Sequence, residues 1–194
     1  MQTLKDIAQI QVGLTLSRAK ATLSDLEKYP YKCVSINAFP TNGNTMLWGY
    51  ENQYFSSEKI SSDYLTQEGD VLVRLRSPVR SIYISKAEEG LLTSSLIAIM
   101  RPNPKVVLGE FLAFYLNSSL PQAFFQSKVK GTTIPMIKLS DLKDLQIPLP
   151  SIEKQKTIIQ WMKEGDREIS FLTELTKQKI LLKQQIFKTL LAKE

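Results

Sequence analysis

Two short stretches of this 194-residue sequence gather the side chains best suited to holding an anion. Arg74, Arg76 and Arg80 fall within seven residues, while Lys128, Lys130 and Lys138 surround the Gly131-Thr132-Thr133 turn. Such cations neutralise phosphates, a threonine hydroxyl can bond a phosphate oxygen, and the arginine fork also matches the edge of guanine. A solvated charged face is the plainer reading of each stretch, because a net charge of +6 from 25 basic and 19 acidic residues is ordinary at this length. The excess is also spread: 16 basic against 13 acidic residues precede Ser151, and 9 against 6 follow Pro150.

Most catalytic chemistry is excluded by composition. The sequence has no histidine, which removes Ser-His-Asp and Cys-His catalysis and any imidazole-held metal. Cys33 is the only cysteine, so neither an internal disulfide nor a thiolate cage can form, and a reducing cytoplasm is the expected compartment. No Gly-x-x-x-x-Gly-Lys-Ser/Thr loop and no Gly-x-Gly-x-x-Gly turn is present, and the Asn-Pro-Pro-Tyr type tetrapeptide of amino-methyltransferases is missing. Glu88 and Glu89 are adjacent on a turn, and Asp141 and Asp144 stand where helix-terminal charges stand, so no carboxylate pair suggests catalysis or a nuclease metal site. The expectation is a non-enzyme with no cofactor and no metal.

These side chains need a scaffold, and the sequence outlines one. Gly69-Asp-Val-Leu-Val-Arg-Leu-Arg76, Ser81-Ile-Tyr-Ile-Ser85 and Ser95-Leu-Ile-Ala-Ile-Met100 read as strands and as neighbours in one sheet. Strand alternation puts Arg74 and Arg76 on one face, opposite Val73 and Leu75. Residues 109–116 and 120–128 read as amphipathic helices, the second with Pro121 in its first turn. Tyr29-Pro-Tyr-Lys32 and Asn42-Gly-Asn-Thr45 read as loops; their tyrosines either face a ligand or cover the core, and Asn42-Gly43 is best taken as a turn. The body is therefore α+β.

Ile147-Pro-Leu-Pro150 marks a boundary, since two prolines bar a helix through it. Beyond it, residues 151–194 contain no proline and are rich in Lys, Gln, Leu, Ile and Glu, with Ser151 as an N-cap that lacks an acidic third residue. At about 100° per residue, Ile169, Leu172, Leu175, Ile180, Leu182, Ile186, Phe187, Leu190 and Leu191 share an arc of roughly 180°. Arg167, Ser170, Glu174, Lys177 and Lys188 lie opposite, and Lys179 and Lys183 interrupt the arc, so a packed helix pair fits better than a strict heptad zipper. The helix either folds back on its own domain or pairs with a partner; Ile169, Leu172, Leu175, Leu182, Ile186 and Leu190 are the candidate pairing residues. Met1 to Ile10 lacks the apolar core of a signal peptide, and no apolar run is long enough to span a bilayer, so a soluble protein without membrane contact is expected.

Four stretches resemble the specificity subunits of Type I restriction-modification systems. They are Leu4-Lys-Asp-Ile-Ala-Gln-Ile-Gln-Val-Gly13, Gly69-Asp-Val-Leu-Val73, the run from Gly131 through Gln155, and the helix with Asp166 that closes on leucines. The likeness is dense after residue 131 and sparse over residues 14–66, the part in which family members differ in target. Lys154 stands between Glu153 and Gln155 where the family usually has two adjacent acids before its glutamine. Full-length members carry two recognition domains and two conserved helices; this sequence has one of each and no internal repeat.

The resemblance implies a target recognition domain over residues 1–150, reading one half of a split duplex DNA target, and a conserved helical spacer over 151–194 that docks methyltransferase subunits and brings in the restriction subunit. It makes Lys128, Lys130, Thr132 and Lys138 candidates for backbone contact, and residues 14–45 with Arg74, Arg76 and Arg80 candidates for reading bases. A single-unit chain can restore the two-part layout as a homodimer through its helix, with an inverted-repeat target. A scaffold or inhibitory protein, binding the methyltransferase through residues 151–194 without reading DNA, is the competing reading.

Overall fold

The computed structural model describes residues 2–22, 28–129 and 135–191, which form two compact units, residues 1–156 and 157–194. Lys130 and Thr132 lie outside the described residues. The first unit is mixed α+β, as its sequence patterns lead one to expect.

In chain order its elements are β1 (Gln2–Thr3), α1 (Leu4–Ile7), β2 (Ala8–Val12), β3 (Tyr29–Val34), β4 (Glu51–Ser56), β5 (Val71–Arg74), β6 (Arg80–Tyr83), β7 (Leu92–Thr93), β8 (Ile97–Pro102), α2 (Gly109–Asn117), α3 (Ser119–Lys128), α4 (Leu139–Lys143) and β9 (Gln146–Ile147). One four-stranded antiparallel sheet has the order β2-β8-β5-β6. The three strands expected to be neighbours are neighbours. A second sheet, β4-β3-β7, is antiparallel between β3 and β4 and parallel between β3 and β7.

The unbroken apolar run of β5 reflects a strand covered on both faces. Leu72 and its partner Ile82 enter a core with Val34, Phe39, Met46, Ile97 and Ile99. On the other face Val73 pairs with Ser81, whose hydroxyl donates to the Ala113 carbonyl of α2 at 2.9 Å. A smaller core of Cys33, Tyr54, Ile60 and Leu92, flanked by Tyr31, Leu14 and Leu16, lies under the three-stranded sheet.

Gly13 joins the two sheets. Its N–H donates to Ile97 O at 2.9 Å and the next N–H, of Leu14, to Thr93 O at 2.8 Å, and a Cβ at position 13 would lie 2.3 Å from that Thr93 oxygen. Only glycine lets the chain pass so close.

A 40-residue helix, α5 (Ile152–Leu191), begins in the first unit and makes up the described part of the second. At about 1.5 Å per residue it is about 60 Å long. Ser151 caps it: its Oγ accepts from Lys154 N at 3.4 Å, and its carbonyl from Gln155 N at 2.9 Å. Gln155 itself is fully buried, accepting from Leu108 N at 2.9 Å and donating to Val106 O and Pro150 O at 3.1 and 2.9 Å. These bonds fasten the first turn of α5 within the first unit. Among the described residues no helix is long and apolar enough to cross a membrane.

Candidate nucleic-acid interface

The β5–β6 hairpin sets Arg74 directly opposite Arg80. Like charges so opposed repel, and the fold relieves this by turning Arg74 inward. Its Nε and Nη2 donate to Pro78 O at 2.9 and 2.6 Å and its Nη1 to Ile36 O at 3.2 Å, with the guanidinium 5.9 Å from the centre of the Phe39 ring. Burial first, then the neighbouring Arg80 and Arg76, lowers the Arg74 pKa. Arg80 donates through Nη1 to Gln122 Oε1 of α3 at 3.0 Å, while its Nε is buried without a partner. Arg76 is exposed, beyond the end of β5. Among the described residues no carboxylate forms an ion pair with any of the three.

The second basic stretch meets the same hairpin. Ser77 N donates to Pro135 O at 2.9 Å and Ile137 N to Leu75 O at 3.1 Å, which brings the segment leading to Lys138 alongside the hairpin end. Lys138 is exposed just before α4, and its backbone N–H donates to Asp141 at 3.3 Å. Lys128, in the last turn of α3, holds its Nζ 5.4 Å from the centre of the Phe124 ring. The fold thus gathers Arg74, Arg76, Arg80 and Lys138 around one hairpin, with α3 joined to it through Gln122, but it gives them unequal freedom.

The acidic residues weighed at the sequence level have structural partners. Glu88 is buried and accepts from Ser85 N at 2.8 Å, Asp141 caps α4, and Asp144 pairs with Lys5 at 2.9 Å. Among the described residues no group of three His, Cys, Asp or Glu side chains could hold a metal ion. Burial pushes the Cys33 thiol up to about 11.

Tyr29-Pro-Tyr-Lys32 is not a loop but the first part of β3. Pro30 resembles a loop signal, yet β7 pairs only with Cys33 and Val34, so among the described residues β3 has no strand neighbour on that side at Pro30 and no ladder bond is lost there. In the ladder with β4, Pro30 faces Phe55 and Lys32 faces Gln53, all four exposed. Tyr31 and Tyr54 form the pair on the opposite face; Tyr54 Oη donates to Leu16 O at 2.7 Å, and Tyr31 Oη accepts from Ile60 N at 3.0 Å. Lys20 and Lys28 flank a groove of about 440 Å³ with Gln53 and Phe55. Sequence reading by charge clusters passed over Gln53 and Phe55; the usable signal was the period-two alternation of residues 52–56 against 29–33.

On α5 the six candidate pairing residues Ile169, Leu172, Leu175, Leu182, Ile186 and Leu190 are each between 50% and 64% exposed. Trp161 and Phe171 are more exposed still, at 75% and 77%. A lone helix cannot bury such a face within its own unit.

Residues 1–182 match the model of the Type I restriction modification DNA specificity domain. The MjaVIII specificity subunit of Methanocaldococcus jannaschii is 26% identical over 115 residues, 59% of this chain and 26% of that protein. The EcoBI specificity subunit of Escherichia coli is 28% identical over 94 residues, 48% of this chain and 20% of that protein. Among solved structures, the HsdS subunit from Thermoanaerobacter tengcongensis aligns with a TM-score of 0.59 at 16% identity, covering 89% of this chain and 38% of that one. The S subunit from M. genitalium aligns at 0.54, again at 16% identity, over 90% and 40%. The aligned portion is thus about a quarter of the length of these curated relatives, and the structural likeness carries the fold.

Proposed function

The chain belongs to the Type I restriction modification DNA specificity family, and from that premise we propose that it is a non-catalytic, sequence-specific DNA-binding specificity subunit. Residues 1–150 act as the target recognition domain and residues 151–194 as the helical dimerisation and spacer region. Each chain reads one half-site of duplex DNA. Methyltransferase subunits, and with them the restriction subunit, dock on the assembly, which works in the cytoplasm.

The observation that carries this reading is the family match, which covers residues 1–182 and so extends from the globular unit into the helix. Pairing of two copies is supported by the exposed apolar arc of α5, since burying it against an identical arc gives a two-fold axis and so an inverted-repeat target. Within the recognition domain, Arg76 and Lys138 have the free charge that a phosphate contact needs, and Lys128, Lys130 and Thr132 precede Lys138 closely in sequence. Arg80, half-buried and bonded through Nη1 to Gln122, has only its remaining guanidinium edge to offer. Arg74 spends its donors inside the fold, so its part is to hold the hairpin in shape for the others.

The test is co-expression with Type I methyltransferase subunits, co-purification, and mapping of methylated adenines in DNA exposed to the complex. The expected result is a stable complex that methylates adenines within a defined split target, lost when the chain is omitted. A complex whose methylation pattern does not depend on the chain would favour a scaffold or inhibitor that does not read DNA.

A further inference from the structure

The outward face of the β3–β4 ribbon combines three properties that the arginine hairpin does not. It is rigid, because the Tyr31 and Tyr54 rings under it are buried or half-buried and each hydroxyl is tied to backbone. It is free, because Lys20, Lys28 and Lys32 are exposed and, among the described residues, none of the three is in an ion pair. Glu51, at the far end of β4, turns its carboxylate back to the Gly49 N–H at 3.1 Å. It is also chemically mixed, with an ammonium, a carboxamide and a ring that is 48% exposed side by side.

Beyond the two residues paired with β7, β3 and β4 run side by side over Tyr29–Lys32 and Gln53–Ser56. Ala19–Ala21 bonds along the outer edge of β4 at one end only, with Ala21 N donating to Phe55 O at 2.9 Å and Ser57 N to Ala19 O at 3.1 Å, so that Lys32 and Gln53 lie on the two-stranded part. Strands about 4.8 Å apart make a ribbon that enters a major groove about 12 Å wide. Side chains on one face of a strand repeat at about 6.8 Å, which matches two base-pair steps of about 3.4 Å when the strand follows the groove. Resting on the proposed role in DNA recognition, we infer that this face reads base edges in the major groove. Gln53 takes the N6 and N7 groups of an adenine, Lys32 the O6 and N7 acceptors of a guanine, and Phe55 packs on a thymine methyl. Lys20 and Lys28, beside the groove at the ribbon edge, neutralise flanking phosphates.

The experiment selects duplexes from a randomised library with the chain, alone and assembled with methyltransferase subunits, comparing wild type with Gln53→Ala, Gln53→Glu, Lys32→Ala, Phe55→Ala and Lys20→Ala/Lys28→Ala. Gln53→Ala relaxes one adenine position, with a cognate affinity loss of roughly five- to a hundred-fold. Gln53→Glu moves that position toward cytosine, whose N4 amino group a carboxylate accepts. The Lys32 and Phe55 variants relax separate positions, while the double lysine variant keeps the selected sequence and flattens the salt dependence. Melting curves verify that the variants are folded; should Phe55→Ala unfold the ribbon, the isosteric Gln53→Glu change still decides. If the Gln53 and Lys32 variants select the wild-type sequence with wild-type affinity, or lose cognate and scrambled DNA equally, the ribbon does not read bases although the chain still recognises DNA. If the wild-type protein selects no sequence in either state, the recognition role and the inference fall together.

Discussion

The arginine hairpin and the β3–β4 ribbon are both antiparallel, both basic and both near the surface, yet they use their polar groups in opposite directions. In the hairpin, Arg74 bonds Pro78 and Ile36, and Arg80 bonds Gln122, leaving Arg76 as the exposed charge. In the ribbon, Lys32 and Gln53 stand exposed over a pair of tyrosines that do the fastening below. A cluster of charges in sequence thus says little about binding until the bonds each charge makes to its own protein are counted.

Breaking the inward-facing side of this contrast should produce the largest changes. Arg74→Ala removes three bonds from a charged group to backbone carbonyls and the packing on Phe39, and should cost about 2–4 kcal/mol of folding stability. Urea denaturation measures this. The surviving folded protein should retain its sequence preference, and a selective loss of one base position with unchanged stability would return Arg74 to the reading surface.

Gln155→Ala is the uncharged counterpart. It leaves Leu108 N–H, Val106 O and Pro150 O without their buried partner and should cost about 1–3 kcal/mol. Replacement by Glu should not rescue it, because a carboxylate cannot donate to the two carbonyls. The same denaturation series reads both variants.

Arg76→Ala should behave in the outward-facing way: stability within about 0.5 kcal/mol of wild type, but weaker binding to every duplex and a salt slope reduced by about 1. Titrations at several salt concentrations read this directly. An unchanged slope would remove Arg76 from the phosphate contacts.

The smallest expected effect concerns Cys33, which follows the ribbon in β3 and is buried where β3 meets β7. With its thiol pushed up to about 11, little thiolate exists at pH 8, so a thiol reagent should label the native protein far more slowly than the protein in urea. Rapid labelling of the native chain would mean that the ribbon opens readily, against its description as a rigid platform.

Much of the scaffold was legible in the sequence. Three strands, two helices and a long helix that starts only after Pro150 follow from apolar periodicity and from proline, which act locally, whereas the compact units divide after Lys156, inside that helix. The ribbon was less so, because Pro30 mimics a loop and its tolerance depends on where β7 stops, a fact of tertiary pairing. The site was least legible of all: charge density picks out Arg74, Arg76 and Arg80 alike, whereas the carbonyls of Ile36 and Pro78 that claim Arg74 are invisible to a charge count.

In the proposed assembly the apolar arc of α5, with Leu172, Leu175, Leu182 and Ile186, is covered by a second copy of the chain. Sedimentation equilibrium at micromolar concentration, without other subunits, tests it most directly. The account predicts a mass twice the 22.1 kDa of one chain, falling to one chain when Leu172 and Leu182 are both replaced by Glu. A stable monomer of the unaltered chain would contradict it.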